Sequence, residues 1–166
     1  MPYKVGILTA SDRCHAKIYE DAGGSAIKTY LSSPRFDVVA HEVVPDDATA
    51  ISGMLRLFAD EQKLDLVLTT GGTGLGPRDV TPEATASVCN KMVPGLAEWI
   101  RNESARRTPM AALSRGAAGM RGRTLIINLP GQPKAVDECM ALLMPVLPHA
   151  FAMIAGEGHE YFAPSP

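Results

Sequence analysis

Cysteine is scarce in this chain: there are three in 166 residues, Cys14, Cys89 and Cys139. They are odd in number, far apart and in no C-x-x-C pairing, which excludes a disulfide framework and a thiolate zinc site. Reduced thiols packed as small groups are expected, with Cys14 on the ligand side of the fold. Histidine is nearly as sparse, and His15, His41, His149 and His159 show no ligand spacing, so no histidine metal site is expected. No apolar stretch approaches the roughly 20 residues of a membrane span. The net charge of −2 gives no general reason to expect nucleic acid or an anionic membrane as partner. The opening MPYKVGILTASDR carries no basic region or cleavage site, so no export signal is visible and the cytoplasm is the expected location. With 46% apolar and 20% charged residues, the composition is that of a globular protein. The length suits one domain over residues 1–166, with 157–166 expected to fray.

Glycine, by contrast, is concentrated. Residues 66–85 read LVLTTGGTGLGPRDVTPEAT. The apolar and β-branched run 66–70 is a buried strand, and it breaks at once into Gly71, Gly72, Gly74 and Gly76. Four glycines in six residues exceed what an ordinary turn needs, and they let the backbone approach a ligand closely. Arg78 and Asp79 follow, and then a helix start with Thr81 as the expected cap and Pro82 in the first turn. Free backbone N–H groups and a helix N-terminus favour an anion, so the segment reads as a phosphate loop. It is not a P-loop, which ends in Gly-Lys-Ser/Thr, nor the dinucleotide fingerprint, because Pro77 stands where the third glycine belongs.

The rest of the chain alternates strands and helices. Residues 3–9 form a strand ending in the polar turn Ser11, Asp12, Arg13, and 21–31 form a loosely started helix. Residues 36–44 form a second strand leading into Pro45, Asp46 and Asp47. A helix over 48–61 follows, with Ile51, Met54, Leu55 and Phe58 on one stripe. One of the two aspartates caps that helix and the other is free to meet a metal or substrate. Helices are expected near 82–90 and 94–106, with Trp99 in the core. Arg101, Arg106, Arg107, Arg115, Arg121 and Arg123 make the region locally basic, which fits either a solvated surface or a phosphorylated ligand. Residues 110–123 read as loop or irregular chain. The strand 124–129 runs into Pro130, Gly131, Gln132 and Pro133, where another helix starts, and a last helix occupies about 145–156. This alternation predicts a three-layer α/β/α fold with a mostly parallel sheet. Loops at the strand C-terminal ends then form the site: 11–13, 46–47, 71–79 and 130–134.

Those loops offer glycines for phosphates, two or three acids and several arginines. They hold no nucleophile elbow and no Cys/His or catalytic His pairing. That set points to phosphoryl or nucleotidyl transfer, in which the protein positions reactants and a Mg²⁺ ion neutralises charge. Asp46 and Asp79 are the right ligand type for Mg²⁺. On residues alone, the chain reads as a nucleotide-using transferase or hydrolase.

The motifs SDR after the first strand, PDD after the second, TGGTG with RDVTP, LSR, and LPGQP occur in this order over nearly the whole chain. Together they resemble the molybdopterin adenylyltransferase family, which includes MogA, MoaB-type proteins and the gephyrin G domain. The resemblance implies adenylylation of molybdopterin with Mg-ATP, giving adenylyl-molybdopterin and pyrophosphate, as a step of molybdenum cofactor biosynthesis. It implies Asp46 and Asp79 as the catalytic and metal-linked pair. Gly71, Gly72, Thr73 and Gly74 would hold nucleotide phosphates beside Arg78. Ser114, Pro130, Gly131 and Pro133 would line the rest of the pocket, with Ser11, Asp12 and Arg13 on the pterin side. It also implies a homotrimer and a separate molybdenum-insertion protein as the acceptor of the product.

One position departs from the family pattern. Many relatives have glycine a few residues after SDR, where this chain has Lys17, so the first loop is either shaped differently or gains a phosphate contact. The competing reading is a non-catalytic pterin-binding or scaffold member of the same fold. Retention of both Asp46 and Asp79 argues against it. A relation to the competence-damage proteins would call for an additional domain, for which the chain has no room.

Overall fold

The computed structural model describes residues 1–157, so His159 and all of the expected frayed tail 157–166 except its first residue lie outside the described residues. Its centre is a six-stranded sheet in the order β2-β1-β3-β6-β5-β4. β1 (Tyr3–Ala10), β2 (Phe36–Val44), β3 (Leu66–Thr70) and β6 (Thr124–Leu129) run parallel. β5 (Ala118–Arg121) and the two-residue β4 (Lys91–Met92) complete the sheet in antiparallel pairing.

The three inner parallel strands are buried on both sides, which is why they read as continuous apolar runs. Their alternation separates two cores. Val5, Ile7, Leu66, Leu68, Leu125, Ile127 and Leu129 face α2 (Ala22–Tyr30), α5 (Pro94–Ala105), α6 (Pro133–Leu143) and α7 (Leu147–Ala155). Leu8, Ala10, Val67 and Ile126 face α3 (Ala48–Arg56), the π-helical turn Leu57–Glu61 that continues it, and α4 (Thr81–Val88). The expected stripe on 48–61 packs here, with Ile51, Leu55 and Phe58 fully buried and Met54 at the margin. Trp99 is packed against the other core, as expected.

Three local expectations are corrected. The turn after β1 is the short helix α1 (Asp12–His15), capped by Ser11, whose hydroxyl accepts from Cys14 N–H at 3.2 Å. Thr81 is not the cap of α4 but its first residue. Its hydroxyl instead donates to Gly71 C=O at 3.0 Å, tying the glycine loop to the helix. Residues 110–123 are ordered: a 3₁₀ turn over Pro109–Leu113 is followed by β5, which hairpins onto β6 through Gly122 at φ +57°. The sequence AGMR has little intrinsic strand signal, and pairing with β6 decides the matter.

The chain leaves β1 to one side for β2 and then crosses to β3 on the other. The topological switch point therefore lies between the C-terminal ends of β1 and β3. That is where Ser11 and Gly71 emerge.

Candidate active site

β3 ends at Thr70, and the chain turns through Gly71 at φ +90° and Gly72 at φ +66°. Only glycine takes these values without strain, and space forbids anything larger, since a Cβ would collide with Ala10 C=O or the Thr81 hydroxyl respectively. The turn is pinned by Gly71 N–H to Leu129 C=O and by Thr81 N–H to Gly72 C=O. Beneath it, the Asn128 amide donates to the hydroxyls of Thr69 and Thr85 and accepts from Ala117 N–H, a satisfied buried network joining β3, β6 and α4. Among the described residues, the N–H groups of Gly72, Thr73 and Gly74 meet no protein acceptor. Three successive amides are thus free to bind an anion.

Two clefts open on either side of this turn. The smaller, about 530 Å³, is lined by Ser11, Cys14, Asp21, Asp46 and the N-terminus of α2. The larger, about 740 Å³, has an apolar wall including Ile100, Met110 and Leu113, and a polar wall including Thr73, Gly74, Ser114 and Pro130. Gly71, Gly72, Asp79 and Gly131 line both. The clefts therefore meet at the glycine turn.

Ten of the residues read from the sequence line these clefts: Ser11, Asp46, Gly71, Gly72, Thr73, Gly74, Asp79, Ser114, Pro130 and Gly131. Four do not. Asp12 and Arg78 form a bidentate ion pair at 2.8 and 2.9 Å on the rim. The Arg13 guanidinium lies over the Tyr19 ring at 5.5 Å, and Pro133 is the first residue of α6.

The sequence pattern of the family described as a probable molybdopterin-binding domain matches residues 6–149. The chain belongs to the molybdopterin adenylyltransferase family. A molybdopterin adenylyltransferase of Helicobacter pylori is 46% identical over 92% of this chain and 88% of its own length. That of Escherichia coli is 40% identical over 82% and 71%. Among solved structures, the molybdopterin biosynthesis enzyme MoaB of Thermus thermophilus superposes with a TM-score of 0.88 at 52% identity, over 93% of this chain and 97% of that one. A tungsten cofactor synthesizing MoaB from Pyrococcus furiosus gives 0.77 at 31% identity, over 90% and 98%.

Within this adenylyltransferase fold, the aspartates after β2 divide their work. Asp47 caps α3 through a 2.8 Å bond from Ala50 N–H, which leaves Asp46 for the cleft. Asp46 and Asp12 exchange backbone-to-carboxylate bonds, with Asp12 N–H donating to Asp46 Oδ2 at 2.9 Å and Asp46 N–H to Asp12 Oδ1 at 3.0 Å. Burial pushes the Asp46 carboxyl above its ordinary range. The Asp12 N–H opposes the shift, and the charges of Asp12 and Asp79 add to it. Asp12 itself is held low, chiefly by the Arg78 guanidinium. Asp79 Oδ2 accepts from Gly76 N–H at 2.9 Å. Among the described residues, one oxygen of Asp46 and one of Asp79 accept no protein hydrogen bond. Two mutually repelling carboxylates with free oxygens are the donor type that suits Mg²⁺, which takes one or two acids beside phosphate oxygens and water.

The locally basic stretch is mostly spent on the protein. Arg101 holds the carbonyls of Ser114 and Gly116, Arg106 pairs with Glu103 and Arg107 with Glu138. Arg121 grips Asp60 and Val88 C=O. Sequence reasoning placed Arg115 only in the basic stretch and missed its hold on the glycine loop; it also missed the pair His41–Asp21 at 2.7 Å, whose aspartate lines the smaller cleft. Their partners are distant in sequence, so no spacing signals them.

Proposed function

We propose that this protein adenylylates molybdopterin with Mg-ATP in molybdenum cofactor biosynthesis, and that Asp46 and Asp79 are its catalytic acids. A terminal phosphate oxygen of molybdopterin attacks the α-phosphorus of ATP. A new P–O bond forms, the bond to the β-phosphate bridge breaks, and pyrophosphate leaves with the electron pair. The observation that carries this reading is the wall shared by the two clefts. Two ring systems fit, one on each side, with their phosphates meeting over Gly71, Gly72, Asp79 and Gly131.

The free amides of Gly72, Thr73 and Gly74 hold phosphate oxygens, and the Ser11 and Ser114 hydroxyls line the two flanks. Asp46 and Asp79 would hold Mg²⁺, which would supply neutralisation of phosphate charge. Asp12 and Arg78 act one step back, fixing the backbone at Asp46. Exposed Ile18 and Val39, outside both clefts, offer apolar surface that the expected homotrimer would cover. The product passes to a separate insertion protein, and the work takes place in the cytoplasm.

The test is pyrophosphate release by the purified protein with Mg-ATP, with and without molybdopterin. Release requiring both pterin and Mg²⁺, abolished in a folded Asp79→Asn variant, is expected. Binding of both ligands without release supports a scaffold instead, and near-normal release by Asp79→Asn overturns the assignment of that acid.

A further inference from the structure

The half of the glycine loop that carries Asp79 has little internal structure to hold it. Between Thr73 and Asp79 its one backbone-to-backbone bond within the segment is Asp79 N–H to Gly76 C=O, at 3.0 Å. Gly76 N–H also donates to the Asp79 carboxylate, and Arg78 reaches out to Asp12 on the rim; the anchorage of the segment's own backbone carbonyls to the rest of the fold comes chiefly from one distant residue. Arg115 N–H donates to Thr73 C=O at 2.8 Å. Its Nε donates to Gly74 C=O at 2.8 Å and its Nη2 to Asp79 C=O at 2.6 Å. The same guanidinium pairs with Glu83 in the first turn of α4, drawing that carboxyl below its ordinary range. Arg115 is itself braced, because Arg101 Nη1 donates to the carbonyls on either side of it, Ser114 at 3.1 Å and Gly116 at 3.0 Å. Its side chain lines neither cleft.

We propose that Arg115 is a positioning residue: it clamps both ends of the Thr73–Asp79 segment and so fixes where the Asp79 carboxylate and the free amides stand. The inference rests on the adenylyl-transfer reading for its catalytic consequence, and on geometry alone for the clamp. A guanidinium suits the task because its donors diverge in a rigid plane and reach Gly74, Asp79 and Glu83 together. A lysine ammonium is a single point and serves one of them well. Glu83 balances the charge and keeps the guanidinium turned towards the loop, away from substrate phosphates.

The experiment compares Arg115→Met, Arg115→Lys and wild type by amide hydrogen exchange of the unliganded protein and by steady-state pyrophosphate release. Arg115→Met is expected to exchange the Gly76 and Asp79 amides, the two in the segment that have acceptors, at least about 10-fold faster, with the strands unchanged. Its kcat should fall about 100-fold, the scale of a 1 Å misplacement, while the KM values rise by a clearly smaller factor as the Thr73 and Gly74 amides loosen. Arg115→Lys should fall between the two. Wild-type exchange in the Arg115→Met loop overturns the clamp, as does equal acceleration over the whole sheet. Full recovery of kcat in Arg115→Lys overturns the need for a planar fork. If the wild type itself releases no pyrophosphate, the adenylyl-transfer reading fails, and the exchange comparison still decides whether Arg115 holds the loop.

Discussion

Asp46 shares its cleft with Asp79, exchanges hydrogen bonds with Asp12, and is half-buried, so its ionised form is the costly one. Its folded-state pKa is raised above the ordinary 3.8, first by burial and then by the two neighbouring charges, against the pull of the Asp12 N–H and Arg78. The native chain therefore binds an extra proton between the two values. Stability falls as pH rises through that window, and the cost persists above it. Asparagine carries no such proton, and its amide oxygen can still accept from Asp12 N–H. Asp46→Asn is expected to match the wild type in stability under acid conditions and exceed it at neutral pH, while losing pyrophosphate release. Denaturant titrations at the two pH values check this, and a neutral-pH variant no more stable than wild type removes the electrostatic argument. At this scale the sequence pointed to the two acids that the structure brings to one cleft, because Asp46 and Asp79 follow apolar runs that end in glycine or proline. It did not reveal what Arg115 holds, because the acceptors are backbone carbonyls and carry no side-chain identity.

At the scale of the element, α1 ends in a feature the sequence argued against. Lys17 has φ +58°. Lys17 N–H donates to Cys14 C=O at 3.0 Å and Ile18 N–H to Arg13 C=O at 2.9 Å, the paired bonds of a Schellman ending. The lysine thus occupies, at a cost in energy, the left-handed conformation that glycine holds without strain. Lys17→Gly is expected to stabilise the protein by about 1 kcal/mol, with a higher urea midpoint at an unchanged slope. An unchanged or lower midpoint would show that the lysine side chain repays the strain. The buried strands and most of the helices were legible because apolar periodicity and terminal prolines mark them locally. β5 was not, because Gly119 is there to admit Cys89 and Lys91, which a Cβ would meet at 2.7 and 2.9 Å. The signal for that strand lies in its neighbours.

For the whole molecule, the alternation of strand and helix implied the layered sheet, and with it the edge where ligands gather. What it left out was that the loops at that edge enclose two clefts with a common wall, since this depends on the crossing from β2 to β3. The common wall has a thermodynamic consequence. Two ligands that bring phosphates to the same glycines, beside two carboxylates, repel each other unless a divalent cation is shared between them. A single ligand at 100 times its Kd stabilises the fold by about 2.7 kcal/mol. In a chain of this length each kcal/mol moves the melting midpoint by about 2–4 °C, so the expected shift is about 5–10 °C. The α,β-methylene analogue of ATP blocks transfer and lets both sites fill. With Mg²⁺ present, the shift given by the analogue and molybdopterin together should reach the sum of the separate shifts. In a chelator it should fall clearly below that sum, because the second ligand then meets the first one's charge unscreened. Additive shifts under both conditions would place the two phosphates too far apart for transfer, and with them the case for a shared reacting wall would fall.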